Sequence, residues 1–441
     1  MALPDIALPE PRISKPLIPF LRIPARLYIF LSYGAARIAL LGEKVLFEAF
    51  KRALAGESRC IIAFRHSNGG EPQLLSWYFL FRLKAGAARK GIRFALRPHA
   101  VFVYGYEVAR WGGFLARFAL PRLGALPVHH AKMDKLGMDR IYKAIVEGPY
   151  PLALAPEGQV SYTSNAVPRL EPGVMRLGFT AAQRIGEKGS NCPVEVLPLS
   201  VHLRYGHRGR AAMEKLLGKI ERLAGFSLRG RKELPFTERL RQCRERILAV
   251  NEARYHIEAD TSLPFEERLD RVIAAALETA ERMLGLESEG ELFSRMYRLR
   301  QICWDRIVLP GMDSLKDMPP IDRGAADLLA GEAWHIGRHQ ELVDFCWYFR
   351  VPLPAGALHD QVEYVQNLWD FANRTMGGAF ADRITIAPQK IIIHAEPVIN
   401  LTGRLPFWQK DKKAAVAQAL ADLEKAYLNN ICEINSLEPG G

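Results

Sequence analysis

His66 and Glu71 stand five positions apart in the stretch Arg65-His66-Ser67-Asn68-Gly69-Gly70-Glu71-Pro72. An imidazole backed by a carboxylate is a proton acceptor. The acid holds one ring nitrogen, fixes the tautomer, and leaves the other nitrogen free to take a proton. Two glycines between them permit a tight reversal, which would fold the carboxylate back onto the ring. Taken alone, the pair also suits a solvated loop. Further along come Leu126-Pro127-Val128-His129-His130 and Pro156-Glu157-Gly158, two more places where polar groups follow apolar runs.

The elements that must position these residues can be read from the hydrophobic pattern. Cys60-Ile61-Ile62-Ala63-Phe64 predicts a buried strand ending just before His66. Leu74, Leu75, Tyr78 and Phe79 predict a helix, and Pro72 suits its first turn, where the missing N–H is no loss. Strands are expected around Ala100–Tyr104, Leu123–Val128, Pro151–Ala155 and Val194–Val201, with helices over Asp134–Glu147 and Val174–Ile185. Strands alternating with helices predict an α/β fold: a central mixed sheet flanked by helices, its working residues at strand ends.

The order of the blocks is the informative feature. His-x4-acid after a strand, then Gly124-Ala125-Leu126-Pro127-Val128, then Pro156-Glu157-Gly158 and Val196-Leu197-Pro198-Leu199, resembles the glycerolipid acyltransferase family. Its best-known members are the 1-acylglycerol-3-phosphate acyltransferases, and the resemblance covers roughly residues 55–205. It implies catalytic roles for His66 and Glu71. It also implies acceptor binding by Glu157 and Gly158 and by the second block, and an acyl-chain side near Pro198. Two departures stand out. Glu71 replaces the family's Asp, and His129-His130 stand where the second block usually carries an arginine, with Gln159-Val160 where Thr-Arg is common. Arg97, Arg122, Lys132 and Arg169 are the candidate cations to compensate. The resemblance further implies acyl-CoA or acyl carrier protein as thioester donor, a lysophospholipid or glycerol-phosphate acceptor, and neither cofactor nor metal.

Composition narrows the setting. With 441 residues, 49% hydrophobic and 24% charged, the chain is globular rather than disordered. Six scattered cysteines form no CxxC pair, which gives no disulfide or metal framework and suits a reducing compartment. The formal charge of +12 is lopsided. Residues 1–135 carry 21 Lys and Arg against 8 Asp and Glu, a net of +13, while the rest carries a net of −1. Such a field concentrates anionic partners, phospholipid headgroups among them. From Leu17 to Leu54, apolar sequence is broken by arginines and lysines, with no uncharged run near the ~20 residues of a membrane span. The expectation is an amphipathic segment, residues 1–54, lying in the membrane interface, with a core helix as the competing reading. The protein is accordingly expected to be peripheral or monotopic, on the cytoplasmic face of a membrane.

Residues 206–384 are rich in charged helix formers, as in Thr237–Val250, Phe265–Leu284 and Leu292–Ile307. A β-rich run returns at Lys390–Val398, followed by a helix from Lys410 to Asn430. The expected organisation is an acyltransferase core at 55–205, a helical insertion at 206–384, and residues 385–441 completing the core with a strand and a helix. His335 and His339 lack the glutamate of a zinc helix and are expected to be structural. Trp347-Tyr348-Phe349 and Trp369-Asp370-Phe371 are expected to pack between helices. The rival function is a catalytically silent lipid-binding or scaffold protein of the same shape. A nucleic-acid binder has only charge to support it.

Overall fold

Apolar runs with residues buried on both faces make the centre of the molecule. The computed structural model describes residues 1–5, 8–129, 134–309, 311–312, 314–349, 351–354, 356–379 and 382–437. The main sheet has eight strands: β1 (Arg37–Leu41), β2 (Arg59–Phe64), β3 (Val101–Gly105), β4 (Leu126–Val128), β5 (Leu152–Leu154), β6 (Val194–Arg204), β7 (Lys390–Ala395) and the short β8 (Ile399–Asn400). Their spatial order is β1-β7-β6-β2-β5-β3-β4, with β8 paired to β6. Strands β6, β2, β5, β3 and β4 run parallel to one another. Strand β7 is antiparallel to β6 and parallel to β1, and this makes the sheet mixed.

Side chains alternate across the sheet, as the two-residue period of a strand requires. Cys60, Ile62 and Phe64 of β2 face one layer, and Ile61 and Ala63 face the other. On the first face lie α1 (Leu17–Tyr33), α2 (Glu43–Ala55) and α3 (Glu71–Tyr78). On the second lie α5 (Lys135–Val146), α6 (Gly173–Glu187) and the C-terminal α13 (Lys412–Leu437). Between β3 and β4 the chain forms α4 (Gly113–Arg122). Helix α13 is tied to the sheet by the Tyr427 hydroxyl, which donates to the Ala63 carbonyl at 2.9 Å, and by Asn430, whose amide donates to Ser200 Oγ at 2.8 Å.

Residues between β6 and β7 form a helical layer: α7 (His207–Leu223), α8 (Phe236–Arg254), α9 (Phe265–Leu284), α10 (Leu292–Ile307), α11 (Pro320–Gln340) and α12 (Leu358–Thr375). Its core is continuous with the first face of the sheet. Arginines paired with buried glutamates tie this layer together: Arg231 and Arg239 on Glu221, Arg268 on Glu252, and Arg295 and Arg298 on Glu281. Tyr348, Phe349 and Phe371 are buried packing residues here. The N-terminus is strapped to this layer, since Leu3–Pro4 pairs in parallel with Val308–Leu309.

The first 54 residues divide differently from the expectation. Only α1 stands out as an exposed apolar element, with Phe20, Ile23 and Leu31 each more than 70% exposed. Residues 37–41 are an edge strand, and α2 buries Leu46, Phe47, Phe50 and Leu54 against the sheet. Their apolar residues have a packing partner in the protein itself, so the boundary at residue 54 falls inside the sheet layer.

Candidate active site

Strand β2 ends at Phe64, and α3 begins at Glu71, so the six residues between them make a loop at the sheet's C-terminal edge. Gly69 turns the chain with φ +83°, a conformation a side chain resists. Gly70 is needed for a different reason: a Cβ there would lie 2.1 Å from the Tyr33 hydroxyl of α1. The reversal brings His66 Nδ1 to 3.0 Å from Glu71 Oε2. Glu71 is fully buried, whereas the His66 side chain keeps 19% of its surface exposed.

The carboxylate is held from a second side. The Asn68 amide donates to Glu71 Oε1 at 2.6 Å. The Ser67 hydroxyl lies 3.1 Å from the same oxygen and 3.2 Å from the Val201 carbonyl, its one proton serving either. With Oε1 so engaged, Oε2 is left to accept from an Nδ1–H of His66. That assignment of the proton puts the lone pair on Nε2. The ring also meets Phe64 edge-on, at 5.9 Å between centroids.

Two of the four backbone amides of Ser67–Gly70 are taken. Asn68 N–H serves Glu71, and Gly70 N–H donates to Asn68 Oδ1 at 2.9 Å. The Ser67 and Gly69 amides bond no described residue. Of this stretch, those two amides remain as donors. Burial pushes the Tyr33 phenol well above its usual range, with the Glu71 charge adding to it, so the hydroxyl beside the loop is a neutral donor.

The loop after β5 lies against this one, for the Ser161 amide donates to the His66 carbonyl at 2.9 Å. Here stands Glu157, expected to meet the acceptor, and sequence reasoning missed its partner. Arg65, 1% exposed, donates from Nε to Glu157 Oε1 at 2.8 Å. Its other nitrogens donate to the carbonyls of Ser164 at 3.0 Å, Thr163 at 2.9 Å and Ala166 at 2.7 Å. An arginine placed directly after a buried strand, with a glutamate at the end of the neighbouring strand, is the signal that could have revealed the pair. Glu157 Oε2 is buried and bonds no described residue, so one acceptor atom remains. Gly158, at φ +71°, lies close to the Tyr297 hydroxyl of α10 and to Glu171.

The helical layer buttresses this second loop. Glu363 accepts from the Ser164 amide at 2.9 Å, and the Asn367 amide donates to the Tyr162 carbonyl at 3.0 Å. Arg383 lies over the Tyr162 ring at 3.6 Å and pairs with Asp370. Burial raises the Glu363 carboxyl to about 7, against the hydrogen bond from Ser164, which lowers it.

The remaining expected residues are more scattered. Pro198 sits in β6 in register with Ala63, and its carbonyl accepts from the Glu396 amide at 3.1 Å. His129 closes β4, stacked on Tyr106 at 4.5 Å, its amide bonded to Asp134. Arg122 ends α4, its guanidinium over Phe118 at 4.0 Å. Arg169 lies over Phe293 and pairs with Glu291. His130 and Lys132 lie outside the described residues.

The chain matches no protein-family model, no curated protein and no solved structure. What the site can do rests on its own geometry. His339 serves the structure, its Nδ1 being 2.8 Å from the Tyr255 hydroxyl. Among the described residues, one group has the donors and spacing to hold a metal ion: His394, Glu396 and Glu433, on β7, the turn after it and α13. A cavity of about 460 Å³ lies in the helical layer, where Arg254, Arg338 and Arg374 mark the ends of three helices.

Proposed function

We propose that the protein is an acyltransferase that moves a fatty acyl group from a thioester, acyl-CoA or acyl carrier protein, to a hydroxyl of a lysophospholipid or glycerol-phosphate acceptor. The observation that carries this reading is the contact of His66 Nδ1 with a fully buried Glu71 carboxylate, the ring edge staying open. An alcohol is hardly ionised at neutral pH, so a base must take its proton as it attacks. His66 Nε2 takes that proton while the hydroxyl oxygen bonds to the thioester carbon. The tetrahedral intermediate collapses by breaking the carbon–sulfur bond, and the proton passes from Nε2 to the departing thiolate. Glu71 steadies the imidazolium in between. General-base assistance of this kind is typically worth about 10²–10⁴-fold.

The developing oxyanion needs preorganised donors, a role for the Ser67 and Gly69 amides. Glu157 is sealed from solvent with Arg65 on one oxygen, so its loop must open before Oε2 can accept a hydroxyl of the acceptor. No described helix is long and apolar enough to cross a membrane. In this reading α1 lies in the interface of an anionic membrane and passes lipid to the loop it touches through Tyr33.

Purified protein given labelled acyl-CoA or acyl carrier protein and a panel of lyso-lipids and glycerol phosphates tests the assignment. Wild type should label at least one acceptor, and His66→Ala should lose about a thousandfold of that rate with an unchanged melt. Equal turnover by the variant would remove the mechanism. Capture of Glu157 by Arg65 favours a second reading, a silent lipid-binding scaffold. It predicts lipid binding with no labelled product from any acceptor.

A further inference from the structure

A recess of about 700 Å³ opens where the chain ahead of α1 crosses the C-terminal end of α4. Two backbone bonds make the crossing: the Arg12 amide donates to the Pro121 carbonyl and the Ser14 amide to the Arg122 carbonyl, both at 2.8 Å. Arg12, Lys15 and Arg122 line the recess, together with a single acid, Glu10. Glu10 is already paired with Arg140, which leaves three cations facing the space. The Arg12 and Lys15 side chains bond no described residue, and Arg122 spends one nitrogen on the Phe118 carbonyl at 2.9 Å.

Both helices adjoining the recess carry exposed apolar side chains. On α4, Phe114 and Leu115 are 74% and 76% exposed, and Phe118 stacks on Phe114. On α1, which starts beside the recess, Phe20, Ile23, Leu27, Phe30 and Leu31 follow helical spacing and all point outward. Ile18, Ile29 and Tyr33 hold the other face against the protein. Arg22, Arg26 and Arg117 are exposed alongside. Exposed apolar side chains on the two helices that flank a cationic hollow, with arginines among them, match the layering of a phospholipid surface: acyl chains below, phosphates at the level of the guanidiniums.

We propose that α4 is a second membrane-inserting element and that Arg12, Lys15 and Arg122 form with it a binding site for the phosphate of an anionic phospholipid headgroup. The committed occupant is a lipid of the bilayer, since a soluble phosphate would leave Phe114 and Leu115 in water. This rests on α1 lying at a lipid surface but not on acyl transfer.

Pelleting of the full-length chain with vesicles of phosphatidylcholine alone, or mixed 3:1 with phosphatidylglycerol, tests it. Wild type should prefer the anionic vesicles. Arg12→Ala/Lys15→Ala/Arg122→Ala should lose roughly a hundredfold of partitioning into anionic vesicles, since each cation near such a surface contributes about a factor of five, and should bind the neutral ones as before. Phe114→Ser/Leu115→Ser should lose about tenfold or more on both. Glycerol phosphate at millimolar concentration should displace none of the protein; displacement would assign the recess to a soluble phosphate and overturn the lipid assignment. Anionic preference surviving in the triple variant, or unchanged binding by the Phe114/Leu115 variant, would equally overturn the proposal. Phe20→Ser/Ile23→Ser separates the two layers of the argument. If that variant loses binding while the α4 variants do not, α1 alone meets the membrane. If wild type binds neither vesicle, both fall. His66→Ala should pellet like wild type, so failure of acyl transfer and failure of lipid docking read out separately. Circular dichroism and melting confirm that each variant is folded.

Discussion

Two neighbouring loops at the same edge of the sheet each carry a buried glutamate, and their partners give them opposite characters. Glu71 faces an imidazole whose other edge meets solvent, so it can steady a charge that comes and goes. Glu157 faces a guanidinium that never loses its charge and that also ties down three carbonyls of its own loop. In the proposed reaction the first acid serves proton transfer, while the second holds a loop in shape. A buried carboxylate is therefore not informative in itself; the titration of its neighbour decides its use.

The largest effect expected from testing that contrast falls on the fixed pair. Arg65→Met leaves Glu157 buried without its cation, and breaking such a pair typically costs about 3–5 kcal/mol. Urea melts should show that loss, and a variant within about 1 kcal/mol of wild type would mean that solvent reaches Glu157 after all. Glu71→Gln should act mainly on turnover, lowering kcat by about 10–100-fold, or about 1.4–2.7 kcal/mol, with KM little changed. A variant that unfolds instead would make the two glutamates alike.

The smallest effect sharpens the comparison at the buttress. The Glu363 carboxyl is raised to about 7 in the folded chain from an ordinary 4.5, mainly by burial. The native state thus holds that proton more tightly than the unfolded state. Its contribution is largest below about pH 4.5 and is lost as pH rises through about 7. Glu363→Gln keeps an oxygen for the Ser164 amide and removes the charge. It should raise stability at pH 8 by about 1–2 kcal/mol, allowing for partial exposure, and the gain should vanish near pH 4.5. A gain independent of pH would discount the carboxylate. The acid side works the other way for His99, whose burial lowers it to about 4 while its Nε2 meets the Leu123 carbonyl at 2.7 Å.

Much of the fold was legible because its strands are apolar runs with few ambiguities. Helices expected at Phe265–Leu284 and Leu292–Ile307 form over those residues, where pattern and propensity agree. The strand at Arg37–Leu41 was not legible. It is an edge strand in a sequence whose arginines also suit an interfacial helix, and its pairing partner β7 lies some 350 residues away. At the site, the glycine pair and Pro72 signalled the turn, since those residues restrict the backbone locally. The Arg65–Glu157 pair depends on two strands being neighbours, a fact of topology that no local pattern carries.

The position of β7 has a consequence for synthesis. It fills the place between β1 and β6, yet its first residue, Lys390, leaves the ribosome 186 residues after Arg204, the last of β6. Until then the long apolar β6 presents an open edge, and such edges recruit other strands. The intervening helices can fold on that face meanwhile, covering it before the sheet is closed. A nascent chain of this design must be shielded through that whole interval.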